Sequence, residues 1–388
     1  VWRSLREVAG VFLRLGCLSF GGPVAHLGFI RAACVEQRRW VDDAQYADVV
    51  ALCQFLPGPA SSQVVFALGM LRAGLAGALV ASVCFLVPSA VFMIAAAIGL
   101  AHVNIDDAGW LHGLKLVAVA VVAQAVWSMG KKLCPDTPRR VLGVAAAVAT
   151  VLLPSAPTQT SVIALGALLG WWHHRRSTTD EETGTTKHSG APNPAAVAAL
   201  VAFAVLLAGL PVLSQLSSWR EVEIVDRFYR AGAMVFGGGH VVLPLLRSAV
   251  DDVVSDRVFL AGYGLAQAVP GLLFSFAGFL GAALFPAAPW TGGALCLLAI
   301  FLPAWLLVGG ALPFWRSWRR RPGAQAALVG ANAAVVGVLL GALYTPLSSI
   351  RSLGDVVVVA GALVLLQRWQ HPWLVLLLCA AVCEVLMR

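Results

Sequence analysis

Apolar residues in this chain run in long blocks instead of alternating with polar ones. Residues 73–101, 110–130, 141–153, 160–172, 195–213, 289–312, 324–343, 356–366 and 372–386 are each close to continuously hydrophobic. A helix needs about 20 such residues to cross the hydrocarbon of a bilayer, and blocks of this kind predict an all-α, polytopic membrane protein. Two further apolar runs are interrupted. The first, ending near residue 30, contains Gly21, Gly22 and Pro23; the second, 46–70, contains Pro57, Gly58 and Pro59. Glycine and proline stop a helix and leave its end groups without partners, so both runs should be broken or re-entrant helices. Polar punctuation falls between the blocks: a charged connector at 31–43, an acidic turn at Asp106 and Asp107, a basic loop at 131–140 and a hairpin across 154–157. Residues 173–194 are rich in Ser, Thr and Gly and mixed in charge, the composition of a flexible linker.

The pattern occurs twice. The stretch FLRLGCLSFGGP from Phe12 to Pro23 returns as FYRAGAMVFGGG from Phe228 to Gly239, about 216 residues later. In the same register, Gln54-Phe55-Leu56-Pro57-Gly58 matches Gln267-Ala268-Val269-Pro270-Gly271, Phe85-Leu86-Val87-Pro88 matches Ile300-Phe301-Leu302-Pro303, and the run from Gly113 matches that from Gly330. Three segments follow: an N-terminal transmembrane repeat at 1–172, a polar cytoplasmic linker at 173–194, and a C-terminal repeat at 195–388 whose span at 195–213 has no partner in the first half. Loop charge sets their relation. The loop at 99–109 has two aspartates and no Lys or Arg, whereas its counterpart at 314–323 carries Arg316, Arg319, Arg320 and Arg321. One span later the bias reverses, with Lys131, Lys132, Arg139 and Arg140 facing a counterpart that has Arg351 alone. Under the positive-inside rule the equivalent loops lie on opposite sides of the membrane. The two halves are therefore expected in inverted topology, with the odd span at 195–213 supplying the inversion.

Composition fits the same picture: 59% of residues are hydrophobic and 12% charged, about half the charged fraction of a soluble domain. The net charge of +8 is spread over short loops, which is positive-inside bias and not a nucleic-acid surface. The eight cysteines stand singly, without a CxxC pair, so neither a disulfide framework nor a metal site is expected.

Inverted repeats with broken helices hold substrate near the midplane, where half-helix ends converge. A free helix N-terminus carries partial positive charge and suits an anion. The candidate breaks pair as Gly21 and Gly22 with Gly237, Gly238 and Gly239, and as Pro57 and Gly58 with Pro270 and Gly271; close helix packing is the alternative use of such glycines. Acids lie almost wholly in loops, with Asp48 and Glu384 the main exceptions. The ionisable residues embedded in apolar runs are Arg14, Arg230, Lys115, His26 and His240, which favours an anionic substrate. Each arginine alternatively serves an ion pair or reaches to the interface, and each histidine alternatively fills the core. Lys115 has Asn332 at its counterpart, so any role it has is asymmetric. Gln54 and Gln267 suit either amide donation to an oxyanion or a tie between helices. No GxSxG, HExxH or Walker phosphate loop is present, so no enzyme, no bound cofactor and no ATPase motor is expected.

LSFGGP at 18–23, FLPGPASSQ at 55–63 followed by LRAGLAGA at 71–78, and VFGGG at 235–239 together resemble the chromate ion transporter family in its long two-domain form. The resemblance implies a bacterial inner-membrane protein of two related halves that exports chromate, a tetrahedral dianion similar to sulfate, and so confers resistance. It carries over onto Arg14, Phe20, Gly21, Gly22, Pro23, Pro57, Gly58 and Pro59, and onto Gly237, Gly238, Gly239, Pro270 and Gly271. The expected site is an anion between the paired breaks, lined by these residues with Gln54, Gln267 and His240, and neutralised by Arg14 or Arg230. Sulfate or another oxyanion fits the same residues, and a membrane-embedded protein without transport activity is the alternative of another class. Export driven by the membrane potential alone and exchange of protons through His26 or His240 are both compatible. Nothing in the residues specifies an oligomer.

Overall fold

The computed structural model describes residues 2–19, 22–101, 109–153, 156–177, 194–235, 242–269, 271–315, 322–347, 350, 352–368, 375, 378–379 and 381–383. All regular structure among them is helical, in agreement with the all-α, polytopic membrane class. The first apolar run is two helices, α1 (Trp2–Leu18) and α2 (Gly22–Arg31), and a π-helical turn at Ala32–Gln37 extends the second. After α3 (Asp43–Phe55) the chain breaks at 56–59 and enters α4 (Ala60–Leu100). Ala73 and Gly74 leave helical geometry inside α4, with Gly74 at φ 66°. There the helix folds back on itself, and Gly69 of the first arm meets the Gly77 carbonyl of the second. Then come α5 (Gly109–Leu133), α6 (Thr137–Leu152), α7 (Ala156–Ser177) and α8 (Pro194–Leu216). Most of the expected linker, 178–193, lies outside the described residues; its flanks belong to α7 and α8.

The remaining helices are α9 (Arg220–Ala233), α10 (Val242–Val250), α11 (Asp256–Ala268), α12 (Phe276–Leu284), α13 (Pro289–Ala311), α14 (Pro322–Ala342), the single turn α15 (Tyr344–Leu347) and α16 (Leu353–Arg368). Among the described residues, three helices are long and apolar enough to cross a membrane outright: Ala60–Leu100, Pro194–Leu216 and Pro289–Phe314. On α8 only Ala196 is fully buried; one side of the helix is partly covered by α9 and α13 and the other is exposed.

Small residues set the packing, as they do where bilayer replaces water and close approach of backbones supplies the attraction. A side chain on Gly16 of α1 would stand 2.5 Å from the Phe85 carbonyl oxygen of α4, and one on Gly232 of α9 would strike the Ile300 carbonyl of α13. The α12–α13 hairpin closes through Gly281 and the Gly292 carbonyl as α4 does through Gly69 and Gly77. α1 and the arms of α4 thus pack in the same manner as α9, α12 and α13.

The helices sort into two bundles that cut across the sequence halves. α1–α4 pack with α12 and α13, which carry α8 and α9 with them, while α14 lies between α6 and α7 and also touches α5. α5 in turn packs on α16, and it reaches the first bundle through α11. Gly330 of α14 is seated against Gly166 and Gly170 of α7, and Gly337 against Gly143 of α6. Each half of the chain gives its opening helices to one bundle and its later helices to the other.

Candidate functional site

Pro57 and Pro59 cannot continue the hydrogen-bond ladder of α3. Leu56 therefore turns to extended geometry, and Gly58 takes φ 127°, a conformation that side chains disfavour. The Gly58 N–H, freed from any helix, donates to the Val235 carbonyl just past the end of α9, at 2.6 Å. The second break repeats this contact with the halves exchanged. After α11, Val269 is extended and Gly271 has φ 110°. Its N–H donates to the Ser19 carbonyl just past the end of α1, at 2.9 Å. Each break is thus pinned to the first helix of the opposite half. Side chains on these two glycines would also meet equivalent places, Ala304 of α13 for Gly58 and Ser89 of α4 for Gly271, both at 2.9 Å.

The start of α4 faces this crossing. Pro59 stands at its N-cap without a side-chain cap, and the first ladder bond runs from Gln63 N–H to the Pro59 carbonyl at 2.9 Å. The amide groups ahead of it are the unpaired N–H groups of a helix start. Ser61, Ser62 and Gln63 are buried here. Gln63 Nε2 donates to the Pro57 carbonyl at 2.7 Å, while its Oε1 has no partner. On the other side of the crossing His26 Nε2 approaches the Ser19 carbonyl at 3.2 Å, and the ring stands edge-on to Phe85 at 5.9 Å.

Gly58, which follows Pro57, and Gly271 are each tied to the opposite half, Gly58 to Val235 and Gly271 to Ser19, and Gly22 begins α2 three residues after Ser19. Gln54 is exposed on α3 and does not turn toward the crossing. Gln267 belongs to α11 by its backbone, its side chain lying outside the described residues. Phe20, Gly21, Gly237, Gly238, Gly239, His240 and Pro270 also lie outside them. Arg14 is exposed on α1 between exposed Leu13 and Leu18. Arg230 makes a short ion pair with Asp226, one turn earlier on α9. Asp226 is 1% exposed, an interior acid that the sequence pattern placed among the loop charges. The atoms Asp226 Oδ1 and Arg230 Nε are buried without partners. Neither α8 nor α13 supplies a charged residue to the pair, and Arg247 of α10 is engaged by Asp251 and Asp256. Among the described residues no group of His, Cys, Asp and Glu is arranged to hold a metal.

Sequence reasoning passed over Gln63, although FLPGPASSQ ends on it, and over Ser82 and Ser89, which share a face of α4 at a spacing of two turns. Serine in an apolar helix carries little signal until the neighbours are known.

Comparison with known proteins gives the setting for this geometry. A family model described as "Chromate transporter" matches residues 6–171 and 222–384. The "Chromate transport protein" of Cupriavidus metallidurans is 28% identical over 88% of this chain and 82% of its own length. The "Probable chromate transport protein" of Synechococcus elongatus is 26% identical over 88% of this chain and 84% of its own length, and the "Chromate transport protein" of Pseudomonas aeruginosa is 26% identical over 78% and 71%. No solved structure matches the chain. Two matched regions, with α8 left between them, cover well over half of the sequence, and they contain both helix breaks. The chain therefore belongs to the chromate transporter family, a family of membrane transporters and not of enzymes.

Proposed function

We propose that this protein exports chromate across the bacterial plasma membrane as a secondary transporter, with the anion held where the two broken helices cross. The observation that carries this reading is the reciprocal pinning of Gly58 to Val235 and of Gly271 to Ser19. It ties each break to the opposite half, and the unpaired N–H groups of a helix start beside such a break favour a tetrahedral anion. The named relatives are chromate transport proteins, which supports chromate as the cargo. Residues 1–172 and 195–388 are the two repeats, in inverted topology, with 173–194 the cytoplasmic linker; the family match at 6–171 and 222–384 supports this division. Gly21, Gly22, Gly237, Gly238 and Gly239 add further backbone donors. Arg230 turns from Asp226 to the anion when the site is loaded, and Arg14 and His240 raise the local potential.

Alternating access follows from movement of the bundle built on α1–α4 and α8–α13 against the one built on α5–α7 and α14–α16. One sequence half rocking against the other would have to separate α14 from α6 and α7, whose backbones touch through glycine. Export of a dianion from a negative interior is favoured by the membrane potential. Uptake of labelled chromate into inside-out vesicles, under an imposed potential or pH gradient and with or without excess sulfate, tests the proposal. Protein-dependent uptake that sulfate barely inhibits is expected. Equal inhibition by sulfate would replace chromate by a broader oxyanion class, and absence of uptake under every gradient would overturn the reading.

A further inference from the structure

The two breaks mirror each other in backbone but not in what surrounds them. Around the first-half side stand four buried polar residues: Ser19 at 1% exposure, His26 at 2%, Ser82 at 2% and Ser89 at 1%. About 215 residues later, the repeat places Val235, Val242, Leu297 and Ala304 at the corresponding positions. Shared contacts link Ser19, His26 and Ser89, and Ser82 stands one turn before Phe85 on α4. The Ser19 carbonyl receives both the Gly271 N–H and His26 Nε2. His26 lies edge-on to Phe85, Ser82 and Ser89 flank Phe85 on the same face of α4, and Gly271 abuts Ser89.

Ser89 Oγ donates to the Leu86 carbonyl at 3.1 Å. Ser19 Oγ, His26 Nδ1 and Ser82 Oγ have no hydrogen-bond partner among the described residues. Buried polar atoms are nearly always paired because leaving them unpaired is destabilising. The second half shows that the same backbone accepts an apolar set at these positions, so folding alone does not call for the polar one.

The chemistry of the free atoms is specific. Two hydroxyls offer hydrogens, and an imidazole whose Nε2–H is committed to Ser19 offers Nδ1 as a seat for a proton. Among the described residues no carboxylate is hydrogen-bonded or ion-paired to the ring, whose contacts are the Ser19 carbonyl and Phe85. On α1, Glu7 is held by Arg38 and Arg72 and Arg14 is exposed; on the π-helical turn, Glu36 is held by Arg31. The other titratable groups on these elements include the thiols of Cys17, Cys34 and Cys84, Arg3 and Arg6 of α1 and, from α3, Tyr46, whose hydroxyl donates to the Leu27 carbonyl at 2.7 Å.

We propose that Ser19, His26 and Ser82 form the oxyanion subsite of this transporter, and that His26 takes up a proton at Nδ1 as the anion arrives. The proposal rests on the transport reading above. Both hydroxyls and the new Nδ1–H donate to the anion, while Nε2–H stays on the Ser19 carbonyl. The proton comes from water and travels with the anion, so a dianion crosses with one of its charges cancelled. Binding weakens as pH rises, by up to about tenfold per pH unit for one linked proton.

The test uses the full-length protein carrying Ser19→Ala, Ser82→Ala or His26→Gln, the glutamine keeping a donor for the Ser19 carbonyl. Labelled chromate uptake into inside-out vesicles is measured from pH 6 to 8, with thermal unfolding in detergent as the folding control. Each serine variant is expected to melt at or above the wild-type temperature, since it loses an unpaired buried hydroxyl, while its KM rises about tenfold. The ratio of the His26→Gln KM to the wild-type KM is expected to shrink as pH rises; protonation of chromate itself cancels in that ratio. Serine variants with KM within about twofold of wild type, together with a pH-independent ratio for His26→Gln, would overturn the proposal. Calorimetric titration of purified protein with chromate separates the two levels. Wild-type binding that Ser19→Ala abolishes, without uptake in vesicles, would sink the transport reading and keep the subsite, whereas no wild-type binding would remove both.

Discussion

Arg14 and Arg230 occupy the same place in the repeated stretch and meet opposite surroundings. Four residues before Arg14 stands Gly10, and the guanidinium is exposed on the outer side of α1. Four residues before Arg230 stands Asp226, and the pair is buried, with side-chain exposures of 17% and 2%. A buried ion pair adds little net stability, but removing one partner leaves an uncompensated charge and costs about 3–5 kcal/mol. Arg230→Ala should therefore lower the unfolding midpoint in detergent and the amount of protein in membranes, so its loss of transport would not by itself identify a substrate contact. The double variant Asp226→Asn/Arg230→Gln removes both charges and should restore abundance. Chromate uptake by that double variant at the wild-type rate would exclude Arg230 as the residue that neutralises the anion; loss of uptake at full abundance would support it. The two break glycines are constrained differently, by backbone geometry: Gly58 and Gly271 combine positive φ with a neighbour already at contact distance, so neither has room for a side chain.

Elements that depend on local chemistry were legible before the structure. Proline at 57 and 59 ends α3 whatever surrounds it, and the fold-back of α4 falls where Arg72-Ala73-Gly74 interrupts the apolar run. Glycine and proline recur in register along the sequence, and Gly58 and Gly271 share positive φ in the structure. What escaped was set by distant partners. α9 reads as a charged surface helix, REVEIVDRFYRAGA, and Asp226 is buried only because α8 and α13 close over it. Gln54, which suited either amide donation to an oxyanion or a tie between helices, is exposed, since the buried side of α3 is the one carrying Tyr46, Val49, Leu52 and Cys53. The role of each helix glycine also depends on what lies opposite. Gly330 of α14 is pressed against the Gly166 backbone of α7, whereas Gly209 of α8 has nothing within 4 Å. Gly330→Leu should cost about 1–3 kcal/mol or more by overpacking, and Gly209→Ala should stay within about 0.5 kcal/mol. Thermal unfolding of the two purified variants checks this, and equal effects would mean that α14 does not sit between α6 and α7 as described.

At the scale of the whole molecule, the division into repeats and the division into packed bundles do not coincide. α14 belongs to the second repeat by sequence but packs between α6 and α7 of the first, and α5 belongs to the first but packs on α16 of the second. Taken alone, residues 1–177 would leave uncovered the faces of α6 and α7 that α14 fills, including Gly143, Gly166 and Gly170. They would also leave the face of α4 that receives α12 and α13 without its partners. A membrane does not penalise exposed apolar surface as water does, but it cannot replace glycine-to-backbone contact or the two reciprocal backbone hydrogen bonds at the breaks. Neither repeat should therefore accumulate as a folded species by itself. Expressed together as separate chains, 1–177 and 194–388 should assemble, because the described helices on either side of 178–193 already make extensive contacts with each other. Co-purification through a tag on one chain, with chromate uptake in vesicles as the functional readout, tests this. A stable, protease-resistant 1–177 recovered alone would show that the interlock is dispensable, and co-purification without uptake would show that the tether between the halves has a part in transport.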